Sequence, residues 1–182
     1  MAHWQALSEE VLGSLPEEPR LWSAGCADGS EAYSLALLCL QRGRRPHVWA
    51  TDVDDEVLER CRQATYRDDD LATVPEPLRR RYFRPHPGGG VEARSSLRST
   101  VEVACHDALR DDLPARPFDL VACRNLVIYL GPAGREQLYE RLARAVRPGG
   151  VLFTGAADSF HDADRFGFAH LGGTLFRRLD HG

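Results

Sequence analysis

A short apolar strand near the start of the chain runs through two glycines directly into a helix. The segment reads LWSAGCADGSEAYSL over residues 21–35, with the glycines at Gly25 and Gly29. Glycine adopts positive φ readily and lets a ligand approach the backbone closely. The helix that follows carries apolar Tyr33, Ala36 and Leu37 at helical spacing. This pattern predicts a binding turn for a nucleotide-like ligand on a packed α/β scaffold.

The charges on this turn distinguish between classes of ligand. Asp28 and Glu31 stand at the helix entrance, where free N–H groups would otherwise attract a pyrophosphate. Two carboxylates at that position repel an anion and favour a cation. S-adenosylmethionine, which has a positive sulfonium and a positive α-amino group, fits that description. The alternative is that both acids only stabilise the helix dipole, as acids in a first turn often do.

A second apolar run, His47–Asp52, ends in a carboxylate. A Rossmann-like βαβ unit places a ribose-binding acid about 20 residues beyond its glycine turn. Asp52 is therefore predicted to accept the ribose hydroxyls, with capping of the next helix as the alternative. Asp54 suits that capping position, which favours the ribose for Asp52.

Two further strands also end in polar residues. The run from Val101 leads to Asp107, a candidate acceptor for the adenine amine or an ordinary loop acid. The strand over residues 118–123 leads to Arg124 and Asn125. Strand ends of this kind line the cleft of open α/β sheets.

The remaining segments complete an α/β pattern. A helix is predicted over residues 133–147, ended by Pro148-Gly149-Gly150 before a strand over 151–154, and residues 174–179 predict a closing strand. Between residues 66 and 103 the alternation stops, and strands over 81–84 and 91–94 predict a small β-hairpin insertion. Repeated alternation predicts a mostly parallel sheet with helices on both faces.

Composition favours a single domain over residues 1–182. With 43% apolar residues and a net charge of -4, the chain can bury a substantial core and has no basic surplus for nucleic acid. No apolar run approaches the roughly 20 residues that cross a bilayer, and no secretion signal is present. The five cysteines lack metal-ligand or disulfide spacing. We therefore expect a cytoplasmic protein with reduced thiols, no metal and no membrane insertion.

Four segments together resemble a known family. They are WSAGCADGSEAYSLA from residue 22, ATDVD from residue 50, CRNLVIYL from residue 123 and RPGGVLFTG from residue 147. They look like the catalytic domain of the CheR family, the chemotaxis receptor methyltransferases that transfer a methyl group from S-adenosylmethionine to glutamate side chains. The resemblance extends from about Leu21 to Leu179 and implies a Rossmann-like class I methyltransferase fold.

The resemblance also implies residue roles. Glu31 would hold the methionine amino group, Asp52 the ribose, and Asp107 the adenine side. The implied cofactor-binding set is Gly25, Asp28, Gly29, Glu31, Asp52, Asp107, Ala108 and Asn125, and the implied catalytic set is Arg124 and Tyr129. A planar guanidinium can hold a carboxylate with two hydrogen bonds, so Arg124 is predicted to orient the acceptor. Its alternative is a structural ion pair with an acid such as Asp52.

The sequence departs from the family pattern at several positions. Asp28 and Ser30 stand where the family often has Thr and Glu, Ala32 where it has Pro, and Asp158 where it has Glu. Because Glu31 is retained, these departures affect the predicted contacts with the acceptor more than the predicted binding of the cofactor.

The family also carries a helical N-terminal domain, and we expect that the residues before the first strand here form no such domain. Residues 4–15 predict one amphipathic helix, with Leu7, Val11 and Leu15 on its apolar face. Three functions therefore stay open. The chain is a protein-glutamate methyltransferase with a partner protein in place of that domain, a methyltransferase for a small acid, or a module that binds the cofactor without turnover.

Overall fold

The computed structural model describes residue 4, residues 7–156, residues 158 and 160, and residues 162–180. Strands and helices alternate along this part of the chain. The strands are β1 (Arg20–Ala24), β2 (His47–Asp52), β3 (Thr65–Tyr66), β4 (Phe83–Pro85), β5 (Val91–Ala93), β6 (Val101–Cys105), β7 (Phe118–Cys123), β8 (Val146–Thr154), β9 (Phe168–Gly172) and β10 (Leu175–Arg178). The α-helices are α1 (Ser30–Gln41), α2 (Asp55–Gln63), α3 (Glu76–Tyr82), α4 (Ser95–Arg98) and α5 (Pro132–Ala145).

Seven strands form the main sheet in the order β6-β2-β1-β7-β8-β10-β9. Strand β1 pairs in parallel with β2 on one side and with β7 on the other, so the strand order reverses there. β10 runs antiparallel to both β8 and β9. This arrangement confirms the predicted mostly parallel, Rossmann-like sheet. Ligands of such sheets bind beyond the carboxyl ends of the strands, at the reversal point.

Helices cover both faces of this sheet. Successive side chains of a strand point to opposite faces, and Leu21 and Trp22 accordingly belong to two separate apolar clusters. The first cluster holds the buried face of α1, and the second holds that of α5. Each fully buried leucine contributes about 1.5 to 3 kcal/mol to folding, so both packed layers hold the strand ends in place.

The insertion is a three-stranded antiparallel sheet in the order β3-β5-β4. The predicted hairpin is confirmed as β4 and β5, with Phe83 paired to Ala93 and Pro85 to Val91. Its first strand begins at Phe83 rather than Arg81, because α3 extends to Tyr82. The added strand β3 was not predicted, since a two-residue strand is too short to show alternation.

The predicted boundary between the last helix and its strand is wrong. α5 ends at Ala145, and β8 begins at Val146 rather than at Val151. Val146 already pairs with Phe118, and an irregularity in the ladder between Phe118 and Leu120 absorbs the Pro-Gly-Gly segment. The Arg147 Nε also donates to Asp119 Oδ1 at 2.6 Å. Pairing with β7 therefore starts before the residues expected to end the helix.

The N-terminal segment is not the regular helix that the sequence predicts. Residues Leu7–Val11 form a π-helical turn and Leu12–Ser14 a 3₁₀ turn, whereas residues 5 and 6 of the predicted helix lie outside the described residues. The predicted apolar face is confirmed, because Leu7, Val11 and Leu15 are all buried. Within the described ranges, no helix is both long enough and apolar enough to cross a membrane.

Candidate active site

A cavity of about 590 Å³ lies where the strand order reverses, beyond the carboxyl ends of β1 and β7. Seven of the ten predicted site residues line it: Gly25, Asp28, Glu31, Asp52, Arg124, Asn125 and Tyr129. The other three, Gly29, Asp107 and Ala108, are not among its lining residues. The structure thus brings most of the predicted set to one place, although the segments that supply it are far apart in sequence.

Backbone hydrogen bonds hold the glycine turn onto β2. The N–H groups of Gly25 and Cys26 both donate to the Thr51 carbonyl, at 2.9 and 2.8 Å. Gly25 has φ of 75° and Gly29 has φ of 85°, so both glycines adopt the left-handed conformation that the sequence predicts for them. The turn is therefore a rigid part of the cavity wall rather than a loose loop.

The two glycines lie against different neighbours. A Cβ on Gly25 would be in ordinary contact with Leu126, the nearest atom being 3.7 Å away. A Cβ on Gly29 would lie 2.5 Å from the Cys61 Sγ of α2. The missing side chain of Gly29 thus admits a buried thiol of the protein itself.

Asp52 joins the end of β2 to the glycine turn. Its Oδ2 accepts from the Ala27 N–H at 3.0 Å, and its Oδ1 accepts from the Val53 N–H at 2.8 Å and from the Asp54 N–H at 3.2 Å. Capping of α2 falls to Asp54, whose Oδ1 accepts from Glu56 and Val57. Asp52 is therefore free of the capping role considered as its alternative, and it faces the cavity.

Asp28 lies at the entrance to α1 and lines the cavity. Its Oδ1 accepts from the Ser30 N–H at 3.0 Å. This contact satisfies an N–H group near the helix start, which is the local role proposed above as the alternative. The side chain is compatible with both the local role and a role toward a cationic ligand.

Glu31 is a largely buried carboxylate in the cavity wall, with 14% of its side chain exposed. Its Oε1 accepts from the Ser23 hydroxyl at 2.7 Å, and its Oε2 lies 3.6 Å from the Arg124 Nη1. Burial raises the pKa of Glu31 above its ordinary value, although the Ser23 hydroxyl and the Arg124 charge oppose that rise. A carboxylate in this state gains most from a cation that replaces the lost water.

Arg124 extends into the cavity between two aromatic rings. Its guanidinium lies 5.2 Å from the Trp4 ring centroid and 5.1 Å from that of Phe153, distances at which cation–π attraction operates. The alternative, an ion pair with a nearby acid, is present in the structure, with Glu31 rather than Asp52 as the partner. Among the described residues, the buried Arg124 Nε has no hydrogen-bond partner.

Asn125 and Tyr129 follow Arg124 on the loop after β7. Asn125 has φ of 62°, and its N–H donates to Asp158 Oδ2 at 2.6 Å. Tyr129 is 80% exposed at the edge of the cavity. The loop therefore places one fixed residue inside the site and one accessible phenol at its mouth.

The adenine side stays a prediction. Asp107 Oδ1 accepts from the Leu109 N–H at 2.8 Å, and the carbonyl of the buried Ala108 accepts from Arg141 at 2.6 Å. Both residues follow β6, two strands away from β1. The preceding His106 packs against the rings of Trp22 and Trp49.

Sequence reasoning missed three residues of this site. Ser23 binds Glu31, Trp4 stacks on Arg124, and Asp158 binds the Asn125 N–H. A polar Ser23 inside an apolar strand was a usable signal, because a buried hydroxyl needs a partner. Nothing local signals the other two contacts. In the part of the chain that the structure describes, no cluster of acidic, histidine or cysteine side chains has a metal-site arrangement.

Comparison with known proteins identifies the family of this chain. Residues 1–174 match the family described as "CheR methyltransferase, SAM binding domain". A chemotaxis protein methyltransferase from Listeria monocytogenes is 33% identical over 92% of this chain and 66% of its own length. One from Escherichia coli is 34% identical over 81% of this chain and 54% of its own length. The chain thus spans less than two thirds of either relative.

A solved structure supports the fold independently. The TehB-like SAM-dependent methyltransferase of Corynebacterium glutamicum superimposes with a TM-score of 0.55, at 17% identity, over 97% of this chain and 92% of that one. Similarity at that level of identity concerns the fold alone. Together with the family match over nearly the whole sequence, it means that the chain belongs to the CheR methyltransferase family and comprises its S-adenosylmethionine-binding domain.

Proposed function

We propose that this domain transfers a methyl group from S-adenosylmethionine to the carboxylate of a glutamate side chain on an acceptor protein. The observation that carries the proposal is the Arg124 guanidinium, which lies in the cavity next to the buried acid Glu31. The Arg124 guanidinium, which suits an acceptor carboxylate, thus lies next to the Glu31 carboxylate, which suits a cationic cofactor.

The charge of the cavity fits such a cofactor. Its described lining has three carboxylates, those of Asp28, Glu31 and Asp52, and one guanidinium, that of Arg124. Negative potential favours a ligand that carries a sulfonium and an ammonium group, and it disfavours the pyrophosphate of a dinucleotide. A volume of about 590 Å³ is also within the range of cofactor sites, roughly 300 to 1,000 Å³.

Different residues would bind different parts of this cofactor. Glu31 would receive the ammonium group, because its carboxylate is buried and only loosely paired with Arg124. Asp52 would accept the ribose hydroxyls through lone pairs left by its backbone contacts. Gly25 and Asn125 would shape the wall around them. The cofactor, when bound, supplies an electrophilic methyl group on positively charged sulfur.

The chain's main task toward the acceptor is alignment. A glutamate carboxylate is ionised at neutral pH and needs no general base. Arg124 would hold that carboxylate through its planar fork, while Trp4 and Phe153 limit the rotation of the guanidinium. Alignment of this kind lowers barriers by roughly 7 to 11 kcal/mol. Tyr129, exposed at the cavity mouth, would contact the incoming acceptor.

The names of the relatives support a protein as the acceptor. Those of Listeria and Escherichia coli are named chemotaxis protein methyltransferases, so we propose an acidic protein acceptor. A further protein segment or partner would complete the acceptor side, because the cavity is open beside Tyr129. A small acid is the second candidate acceptor, since the same opening would admit one.

Methyl-labelled cofactor tests the proposal. The protein is incubated with S-adenosylmethionine and, separately, with the protein fraction and the metabolite fraction of a cell extract. We expect label in protein, and we expect it to leave as volatile methanol at high pH because esters are alkali-labile. Label that survives alkali contradicts carboxylate methylation. Label found only in metabolites moves the assignment to a small acid.

A further inference from the structure

Asp158 is a buried acid that the proposed function has not used. It lies in the segment after β8, and only 5% of its surface is exposed. Its Oδ2 accepts two backbone hydrogen bonds, from the Asn125 N–H at 2.6 Å and from the Gly155 N–H at 2.8 Å. Bonds from N–H groups to an ionised oxygen are among the stronger hydrogen bonds in proteins.

These two N–H groups stand just past the end of a strand pair. The register of β7 and β8 ends at Cys123 and Thr154, so Asn125 and Gly155 follow the last paired residues on neighbouring strands. The Gly155 N–H is buried, and a buried backbone N–H needs an acceptor, whereas the Asn125 N–H is part-buried. The Asp158 carboxylate supplies one oxygen to both and so joins the two strand ends where their ladder stops.

The junction is closely packed. A Cβ on Gly155 would lie 2.5 Å from Asp158 Oδ2 and 2.9 Å from Asn125 Oδ1, so only glycine fits there without movement. Asn125 has φ of 62°, in the left-handed region that asparagine tolerates better than most residues with a side chain. The Asp158 carboxylate is the contact that fixes the N–H of this residue.

We propose that Asp158 is a positioning residue, a carboxylate clamp on the strand ends that carry Arg124 and Asn125 into the cavity. Its action on ligand binding rests on the proposed function, whereas the clamp itself does not. The oxygen in contact with both N–H groups performs the task, so an amide at this position suffices. Asp158 Oδ1, which is buried without a partner among the described residues, is not needed for it.

The test compares Asp158→Ala, which removes the acceptor, with Asp158→Asn, which keeps an acceptor oxygen. Asp164→Ala, at an exposed acid farther along the same segment, is the matched control. Amide hydrogen exchange is followed at residues 125 and 155, and calorimetry measures the affinity for S-adenosylhomocysteine. We expect Asp158→Ala to speed exchange at both amides at least 100-fold and to weaken affinity at least 10-fold. Asp158→Asn should stay within about 3-fold of wild type in affinity, and Asp164→Ala should match wild type.

Several results would overturn the proposal. Unchanged exchange in Asp158→Ala excludes the clamp, and faster exchange with unchanged affinity excludes its action on ligand binding. An Asn variant as impaired as the Ala variant means that charge, not the shared oxygen, matters. If Asp158→Ala does not fold, scalar couplings through hydrogen bonds decide in the wild type. Both amides should couple to the Asp158 carboxyl carbon, and the absence of either coupling refutes the clamp. A wild-type protein that binds no S-adenosylhomocysteine but shows both couplings contradicts the proposed function and leaves the clamp intact.

Discussion

The two sides of the cavity are built in different ways. On the side of the glycine turn, neighbouring backbone groups hold the residues: Asp52 binds Ala27, Val53 and Asp54. On the side of Arg124, contacts come from distant segments, namely Trp4, Glu31 and Phe153. The first side needs only local turns and the pairing of β1 with β2, whereas the second brings together residues from the N-terminal segment, α1 and β8. This difference suggests that binding and transfer are separable by mutation.

The largest expected effect is at Arg124, where a substitution should separate cofactor binding from methyl transfer. Arg124→Ala should lower methyl transfer by two to three orders of magnitude, since misalignment alone costs on the order of 100-fold, while affinity for S-adenosylhomocysteine stays within a few fold. Arg124→Lys should restore little, because an ammonium lacks the two parallel donors. Single-turnover rates and calorimetry measure the two quantities. Equal loss of transfer and affinity, or of stability, would make Arg124 structural.

The next largest effect is on the free energy of unfolding, when either glycine of the turn is replaced. Gly29→Ala combines a positive φ with an approach of 2.5 Å to the Cys61 sulfur, so we expect a loss of about 2 to 3 kcal/mol in the free energy of unfolding. Gly25→Ala, with positive φ but ordinary contacts, should cost only about 1 kcal/mol. Urea titration measures both. A Gly29→Ala, Cys61→Ala double variant should recover part of the loss, and full additivity would contradict the proposed steric cause.

The glycine-turn side of the cavity also predicts which ligand the protein binds. Asp52→Ala should weaken S-adenosylhomocysteine binding by about 1.5 to 3 kcal/mol, the range for hydrogen bonds to a charged group, and wild-type protein should not bind NAD. Asp55→Ala, at an exposed neighbouring acid, serves as the control in calorimetry. An unchanged affinity in the Asp52 variant, or comparable binding of NAD, would end the ribose assignment.

A smaller effect lies at Glu31, where the two sides meet. Because the folded pKa of Glu31 is raised, its protonated form stabilises the fold, and that stabilisation is lost as pH rises through the folded pKa. Glu31→Gln should therefore raise the free energy of unfolding at neutral pH by about 1.4 kcal/mol per unit of pKa elevation. The gain should vanish below the ordinary pKa of glutamate, about 4.3.

Denaturation across pH measures this gain, and calorimetry should show weaker S-adenosylhomocysteine binding by the same variant. A variant that is less stable than wild type at neutral pH would mean that the ion pair with Arg124 outweighs the burial of Glu31.

Much of the fold could be predicted from local pattern. The glycine turn, β2 and its terminal Asp52, and the Asp54 cap were all visible, because each depends on residues within a few positions of one another. The predicted elements are wrong where pairing with a neighbouring strand determines where a strand begins or whether it forms. β8 begins five residues before the prediction because β7 pairs with it, and β3 is visible only beside β5. The packing of the N-terminal segment likewise replaces a regular helix with two irregular turns.

The sequence by itself determined the class of fold, the acidic binding turn and most of the side chains around the cavity, because spacing and residue type control local conformation and charge. Only the tertiary structure decided which of them touch. It paired Arg124 with Glu31 rather than Asp52, set Trp4 and Phe153 around the guanidinium, and joined Asn125 to Asp158, 33 residues away. Contacts across such separations depend on strand order and packing, which no local pattern encodes.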